Sequence, residues 1–222
     1  MAVLTLLFAA LVAAGIIYGL LAAKRRREEL AALAARLGLE FSPSADADLA
    51  RQYGFLNHLA RGDNRYAFNV LSGRYRQHEV RVFDFHYETH STDSKGHSHT
   101  HHHYFSFFLL LLPRDFPELR ITREGLLSKL TQALGFDDID FESAEFSRAF
   151  CVRSKDKRFA YDVCNPQMME YLLANRDLSI EIERDALALA FDRRLTAAEI
   201  EPNLDRLLAV RAHVPEYLFA SH

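Results

Sequence analysis

Two cysteines in 222 residues are too few to organise this chain. Cys151 and Cys164 make no CxxC pair and no zinc-ribbon spacing. Their apolar or strand-like surroundings fit reduced thiols of a cytosolic domain better than a disulfide, which requires an oxidising compartment. A basic stripe is missing as well: 27 Lys and Arg stand against 30 Asp and Glu, a formal charge of −3. Phosphate neutralisation by Lys and Arg supplies most nucleic-acid affinity, so DNA and RNA are excluded as partners. No GxSxG, GxxxxGK[ST], HExxH or dinucleotide fingerprint occurs, so no catalytic residue is assigned and no enzyme activity is evident. The acidic group Asp137, Asp138, Asp140, Glu142 and Glu145 lacks EF-hand spacing and its central glycine, and reads as a solvated loop.

The most informative absence is at the N-terminus. Met1 to Ala23 carries no acidic or basic side chain, and Lys24, Arg25, Arg26 and Arg27 follow without a break. Val3 to Ala22 is 20 residues, which as a helix at about 1.5 Å per residue spans about 30 Å, the hydrocarbon core of a bilayer. A cleaved signal peptide fits less well, because the run has no basic segment before it and its basic cluster follows it directly. Positive charge just beyond a first spanning helix keeps that flank in the cytoplasm. The expectation is a single-pass protein of the bacterial inner membrane, N-terminus outside, with Lys24, Arg25, Arg26 and Arg27 at the membrane interface and Arg25 to Arg27 touching anionic headgroups. Gly15 and Gly19 form a GxxxG pair, which would let two anchors approach closely as a homo-oligomer. Leu30, Leu33 and Leu37 recur at helical spacing before Gly38, a candidate C-cap, so the anchor continues as a helical stalk. That leucine stripe either packs on the domain or pairs with a second copy.

Three segments result: an anchor over 1–23, a basic juxtamembrane helical stalk over 24–38, and a soluble domain over 39–222. In the domain, Ser44 to Tyr53 reads as a short helix, Asp63 to Leu71 as extended, Ser72-Gly73 as a turn and Glu79 to Tyr87 as a strand. Tyr104 to Leu112, apolar except Ser106, reads as a strand buried on both faces and stopped by Pro113. An amphipathic helix is expected around Leu126 to Leu134, capped near Thr122. Phe146 to Arg153 and Arg158 to Val163 read as a hairpin. Asn165-Pro166 starts a helix with Met168, Met169, Leu172 and Leu173 inward. Leu178 to Glu183 and Leu187 to Phe191 alternate as a second hairpin about Arg184-Asp185, and a last helix begins near Pro202. The class is α+β: an antiparallel sheet with helices packed on one face, preceded by one transmembrane helix and the stalk.

The run FESAEFSRAFCVRSKDKRFAYDVCNPQMMEYLL, Phe141 to Leu173, resembles the signature of a bacterial family of membrane-anchored proteins of unknown function. Phe141, Glu142, Ser143, Glu145, Phe146, Phe150, Ala160, Tyr161, Pro166, Met168 and Met169 carry the likeness, while Ser147 stands where asparagine is expected. The resemblance implies one or two spanning helices before a cytosolic domain, and no activity.

Histidine is the unusual residue: of eleven in the chain, seven fall between His86 and His103. Asp93-Ser94-Lys95-Gly96 reads as a tight turn, so the flanking strands should pair as a hairpin. If His86 faces His103, Glu88 faces His101 and His90 faces His99, then His86, Glu88, His90, His97, His99, His101 and His103 line one face. Neutral imidazoles so placed suit zinc, nickel or copper. A slip of one residue, which a bulge at Gly96 would produce, breaks up that face, and the competing reading is a polar hairpin tip with adventitious metal affinity only. Two functions stay open: a noncatalytic, membrane-tethered cytosolic interaction domain acting through a membrane or cytosolic protein partner, or a metal-binding or metal-sensing module built on the histidine hairpin.

Overall fold

The computed structural model describes residues 2–123 and 139–220, excepting the side chains of residues 2–6 and 9. The helix expected around Leu126 to Leu134 and the acidic pair Asp137 and Asp138 lie outside the described residues. The chain opens on one helix, α1 (Ala2–Leu37). It ends where Gly38 takes a left-handed φ of 70°. There the Leu39 N–H donates to the Ala34 carbonyl at 2.9 Å and the Gly38 N–H to that of Ala35 at 3.4 Å, a Schellman termination. Leu30, Leu33 and Ala34 are buried in the main core, so the leucine stripe packs on the domain. Among the described residues, no helix is long and apolar enough to cross a membrane. Part of the span expected over Val3 to Ala22 lies among the side chains not described.

The remaining elements described are β1 (Glu40–Ser42), α2 (Ala47–Gln52), β2 (Asp63–Tyr75), β3 (His78–Thr92), β4 (Ser98–Arg123), α3 (Ala144–Ala149), β5 (Phe150–Ser154), α4 (Lys157–Val163), α5 (Pro166–Ala174), β6 (Ile180–Ala190), α6 (Ala197–His213) and a short 3-10 helix (Glu216–Leu218). The strands form one six-stranded antiparallel sheet, confirming the α+β class. Strand β4 is its spine. One edge of β4 pairs with β3 and then β5, and the other with β6 along both halves. Phe108, Leu110 and Leu112 face the core under α1 and α3 to α6, whereas Phe105, Phe107 and Leu109 face a second cluster with Phe83, Phe85 and Tyr53. This second face is covered by α2 and the turns that follow it, so the sheet is packed on both sides rather than one. Tyr104 to Leu112 accordingly reads as an apolar run.

Several boundaries differ from expectation for local reasons. The β2–β3 turn is Arg76-Gln77, not Ser72-Gly73: both residues take positive φ, 43° and 72°, as a two-residue hairpin turn demands. Pro113 does not end β4 but sits in a break in its pairing with β6, between Leu111 and Phe116. Thr122 pairs with Cys151 inside the sheet and caps no helix. Residues 158–163 are not a strand, because Asp156 accepts the Phe159 N–H at 3.0 Å and starts α4. The segment from Ile180 to Ala190 is one strand rather than a hairpin. An irregularity at Arg184 (φ 51°) changes the phase of alternation, so Ile180 and Ile182 share a core with Leu187 and Leu189. Helix α6 begins at Ala197 because the Glu199 carboxylate accepts the Thr196 N–H at 2.8 Å, and Pro202 lies inside it. Asn165 caps α5 as expected, accepting the Met168 N–H at 3.0 Å. Neither cysteine is in a disulfide, and burial pushes the Cys164 thiol up.

Candidate functional site at the hairpin and the base of the helix

Helix α1 and the β3–β4 hairpin leave the domain from the same end. Leu39 lies against Gly73, whose strand partner is Val80, while Arg26 bonds to Asp84. Going from Leu39 back to Arg26, α1 therefore travels in the sense in which β3 runs towards its turn.

At the base of the helix, Arg26 turns inward. Its Nε donates to Asp84 Oδ2 at 2.8 Å, Nη2 to Asp84 Oδ1 at 2.7 Å and Nη1 to the Leu195 carbonyl at 2.7 Å. The Asp84 side chain is only 2 % exposed. It also accepts Asn69 Nδ2 at 2.9 Å and Ser106 Oγ at 3.1 Å, and Ser106 Oγ in turn accepts the Leu195 N–H at 2.9 Å. Asn69 reaches this position from an irregularity in β2, with φ 52°. Arg26 thus ties α1, β2, β3, β4 and the start of α6 into one buried network, and its guanidinium does not join Lys24, Arg25 and Arg27 at the surface. Lys24 and Arg25 pair with Glu28 and Glu29 one turn on, and Arg27 is exposed. Gly15 and Gly19 are exposed with open space where a Cβ would stand. The described side chains from Leu7 to Leu21 are all exposed, the large hydrophobic ones by 46–76 %.

The hairpin register is one residue off the expected pairing. Asp93 N–H donates to the His97 carbonyl at 2.9 Å and Gly96 takes φ 85°, making a three-residue loop, Ser94 to Gly96, in place of two. The bonds from Lys95 N–H and His97 N–H to Asp93 Oδ1 hold the loop, and, with the His97 backbone first among the causes, keep the Asp93 carboxyl below its ordinary range. His86 therefore pairs with Tyr104, Glu88 with His102 and His90 with Thr100. The six candidate ligands separate. His86 and His90 share a face with Glu88 and His102, while His99, His101 and His103 lie on the other face and His97 closes the loop opposite Asp93. On that other face His103 stacks on Tyr87 at 4.5 Å and meets Thr89 Oγ1 at 2.8 Å, and His101 meets Ser91 Oγ at 2.9 Å. Burial, then the charges of His101 and His86, lower the His103 pKa.

The register brings together His86, Glu88 and His102, whose potential ligand atoms all lie within 4.8 Å of one another. Sequence reasoning placed Glu88 correctly relative to His86 but missed His102, because it assigned His102 to the opposite face. His86 is 2 % exposed. Its ring is stacked on Tyr66 at 4.5 Å, and its Nδ1 lies 3.0 Å from the Asn64 carbonyl. Asn64 also donates its Nδ2 to Glu88 Oε1 at 2.6 Å. It reaches both residues because it lies in a second β2 irregularity, at φ 47°, beside Gly62. A Cβ on Gly62 would stand 2.1 Å from the Glu88 carbonyl oxygen.

A further buried charged group is Glu181, in β6. Glu181 accepts the N–H of Asn57 at 2.6 Å, the N–H of His58 at 3.1 Å and a bond from the His58 ring. Burial raises its pKa, but the His58 charge and bonds outweigh burial and hold the carboxyl below its ordinary value. This pair pins the turns after α2 to the sheet.

No family model matches the chain, and no curated protein matches it. Among solved structures, the fold is similar to the crystal structure of the mycobacterial trehalose monomycolate transport factor A, TtfA. The TM-score is 0.61 at 14 % identity, over 87 % of this chain and 96 % of that one. At that identity the likeness is one of fold alone.

Proposed function

We propose that this protein is a noncatalytic domain tethered to the cytoplasmic face of a bacterial inner membrane, where it engages a membrane or cytosolic protein partner. The observation that carries the reading is the apolar length of α1 beyond the domain. Leu7, Phe8, Leu11, Val12, Ile16, Ile17, Leu20 and Leu21 distribute around every side of the helix, and no part of the described chain covers them. A helix apolar all round belongs in a core or a bilayer. Each large side chain left in water forgoes about 1.5–3 kcal/mol, so bare exposure of this set costs on the order of 10 kcal/mol. The basic residues Lys24, Arg25 and Arg27 at its base support the orientation, with the N-terminus outside. The resemblance of Phe141 to Leu173 to a membrane-anchored family is in keeping with an anchor joined to a cytosolic domain. Because Arg26 is bonded to buried Asp84, the base of the helix is tied into the core of the domain. Gly15 and Gly19 offer a small-residue face for pairing two anchors.

The test is a pair of topology reporters, one at each end of the full chain. Cytoplasmic activity of the C-terminal reporter, with external activity of the N-terminal one, is expected. An external C-terminal reporter reverses the orientation, and a full chain recovered wholly in the soluble fraction removes the tether. Capture of the partner from mild detergent then identifies the process.

A further inference from the structure

We infer that His86, Glu88 and His102 form a three-ligand site for one zinc-like divalent cation, built into the hairpin on the face that continues from Asp84. A carbonyl oxygen only accepts, so the 3.0 Å contact between His86 Nδ1 and the Asn64 carbonyl places a proton on Nδ1 and leaves Nε2 as the ligand atom. His86 Nε2 then presents a lone pair and accepts a hydrogen bond from His102 Nδ1, 3.1 Å away, so a bound cation would stand in the place of that proton with His102 in its other tautomer. Glu88 Oε1 closes the triangle, 3.4 Å from His102 Nδ1 and 3.9 Å from His86 Nε2. Tetrahedral zinc with bonds of about 2.0–2.2 Å places its ligand atoms about 3.3–3.6 Å apart, and the mean edge of this triangle falls in that range.

The surroundings have what such a site requires. Metal-bound histidines carry their other N–H to a carbonyl or carboxylate, which sets the tautomer and the ring plane, and Asn64 does this for His86. The same asparagine orients Glu88 through Nδ2, and Tyr66 stacks on the His86 ring. These restraints act on a histidine that is 2 % exposed, which is not the environment of an adventitious surface imidazole. Two nitrogens and one carboxylate oxygen supply three positions of a tetrahedron. The half-exposed His102 leaves the fourth open to water or an anion from solvent. His97 and the histidines on the other face are not part of the site.

Binding is tested on the full chain in nonionic micelles, with Zn(II) by dye competition and Co(II) by visible spectroscopy. One equivalent of Co(II) should give the intense d–d bands of a tetrahedral ion. His102→Ala, a change at a half-exposed position, should weaken Zn(II) binding by at least about 100-fold while the circular dichroism is kept. Asn64→Ala should weaken it by about 10–100-fold, as expected for a group that orients a ligand. The combined variant His99→Ala, His101→Ala, His103→Ala should bind within about twofold of the parent. Binding that survives His102→Ala but disappears in the triple variant would overturn the assignment, as would octahedral Co(II) or no binding at one equivalent. These readouts do not depend on membrane insertion, so the failure of one proposal leaves the other standing.

Discussion

Arg26→Ala should cost the domain far more than loss of a surface ion pair. The Asp84 carboxylate, 2 % exposed, accepts two bonds from Arg26 and one each from Asn69 and Ser106. Truncating Arg26 leaves the two neutral donors and a buried anion without its counter-charge. Breaking a buried pair on one side costs about 3–5 kcal/mol, against about 0.2–1 kcal/mol for an exposed pair such as Arg25 with Glu29. Arg26 also loses its bond to the Leu195 carbonyl, so the upper part of that range applies. Asp84→Leu should be comparably costly, since it strands the guanidinium. The double variant Arg26→Met with Asp84→Leu should recover a large part of the loss, because neither charge remains buried. The assay is urea denaturation of the full chain in micelles, followed by far-ultraviolet circular dichroism because the chain has no tryptophan. A loss below about 1 kcal/mol for Arg26→Ala, or simple additivity in the double variant, would refute the idea that this pair locks α1 to the sheet.

Other expectations concern single interactions. Glu181, held below its ordinary pKa, adds stability that is present above the unfolded carboxylate value and disappears as pH falls through its folded value. Glu181→Gln should therefore lower stability at neutral pH and flatten its acid dependence, read by denaturation at stepped pH; an unchanged acid slope would contradict the pairing with His58. Gly62→Ala should destabilise the domain by more than about 2 kcal/mol, because a left-handed φ of 58° and a Cβ 2.1 Å from the Glu88 carbonyl oxygen cannot both be accommodated. Asn165→Ala should cost about 1–2 kcal/mol in the same assay, since it removes both the α5 cap and the bond from Nδ2 to the His213 carbonyl at 2.9 Å.

Features set by neighbours in sequence were legible, and those set across the sheet were not. Gly38 ends α1 and Asn165-Pro166 opens α5 because caps act within a few residues. The run Tyr104 to Leu112 announced a strand covered on both faces because Phe105, Phe107 and Leu109 meet one core and Phe108, Leu110 and Leu112 the other, although Tyr104 itself is exposed. The hairpin register turned on a single residue: a loop of three rather than two moved His102 into the site and His99, His101 and His103 out of it. Strand β6 read as two because the irregularity at Arg184 changes the phase of alternation in mid-strand. Arg26 looked like its basic neighbours, since its partner Asp84 is 58 residues away. The Thr196-x-x-Glu199 capping box was in the sequence and would have placed the start of α6 correctly.

The tether is tested most directly by extracting membranes carrying the full chain with alkaline carbonate, alongside a chain beginning at residue 24. The full chain should stay in the membrane pellet and be released only by detergent, while the shortened chain is extracted. Recovery of the full chain in the carbonate supernatant would contradict the tether.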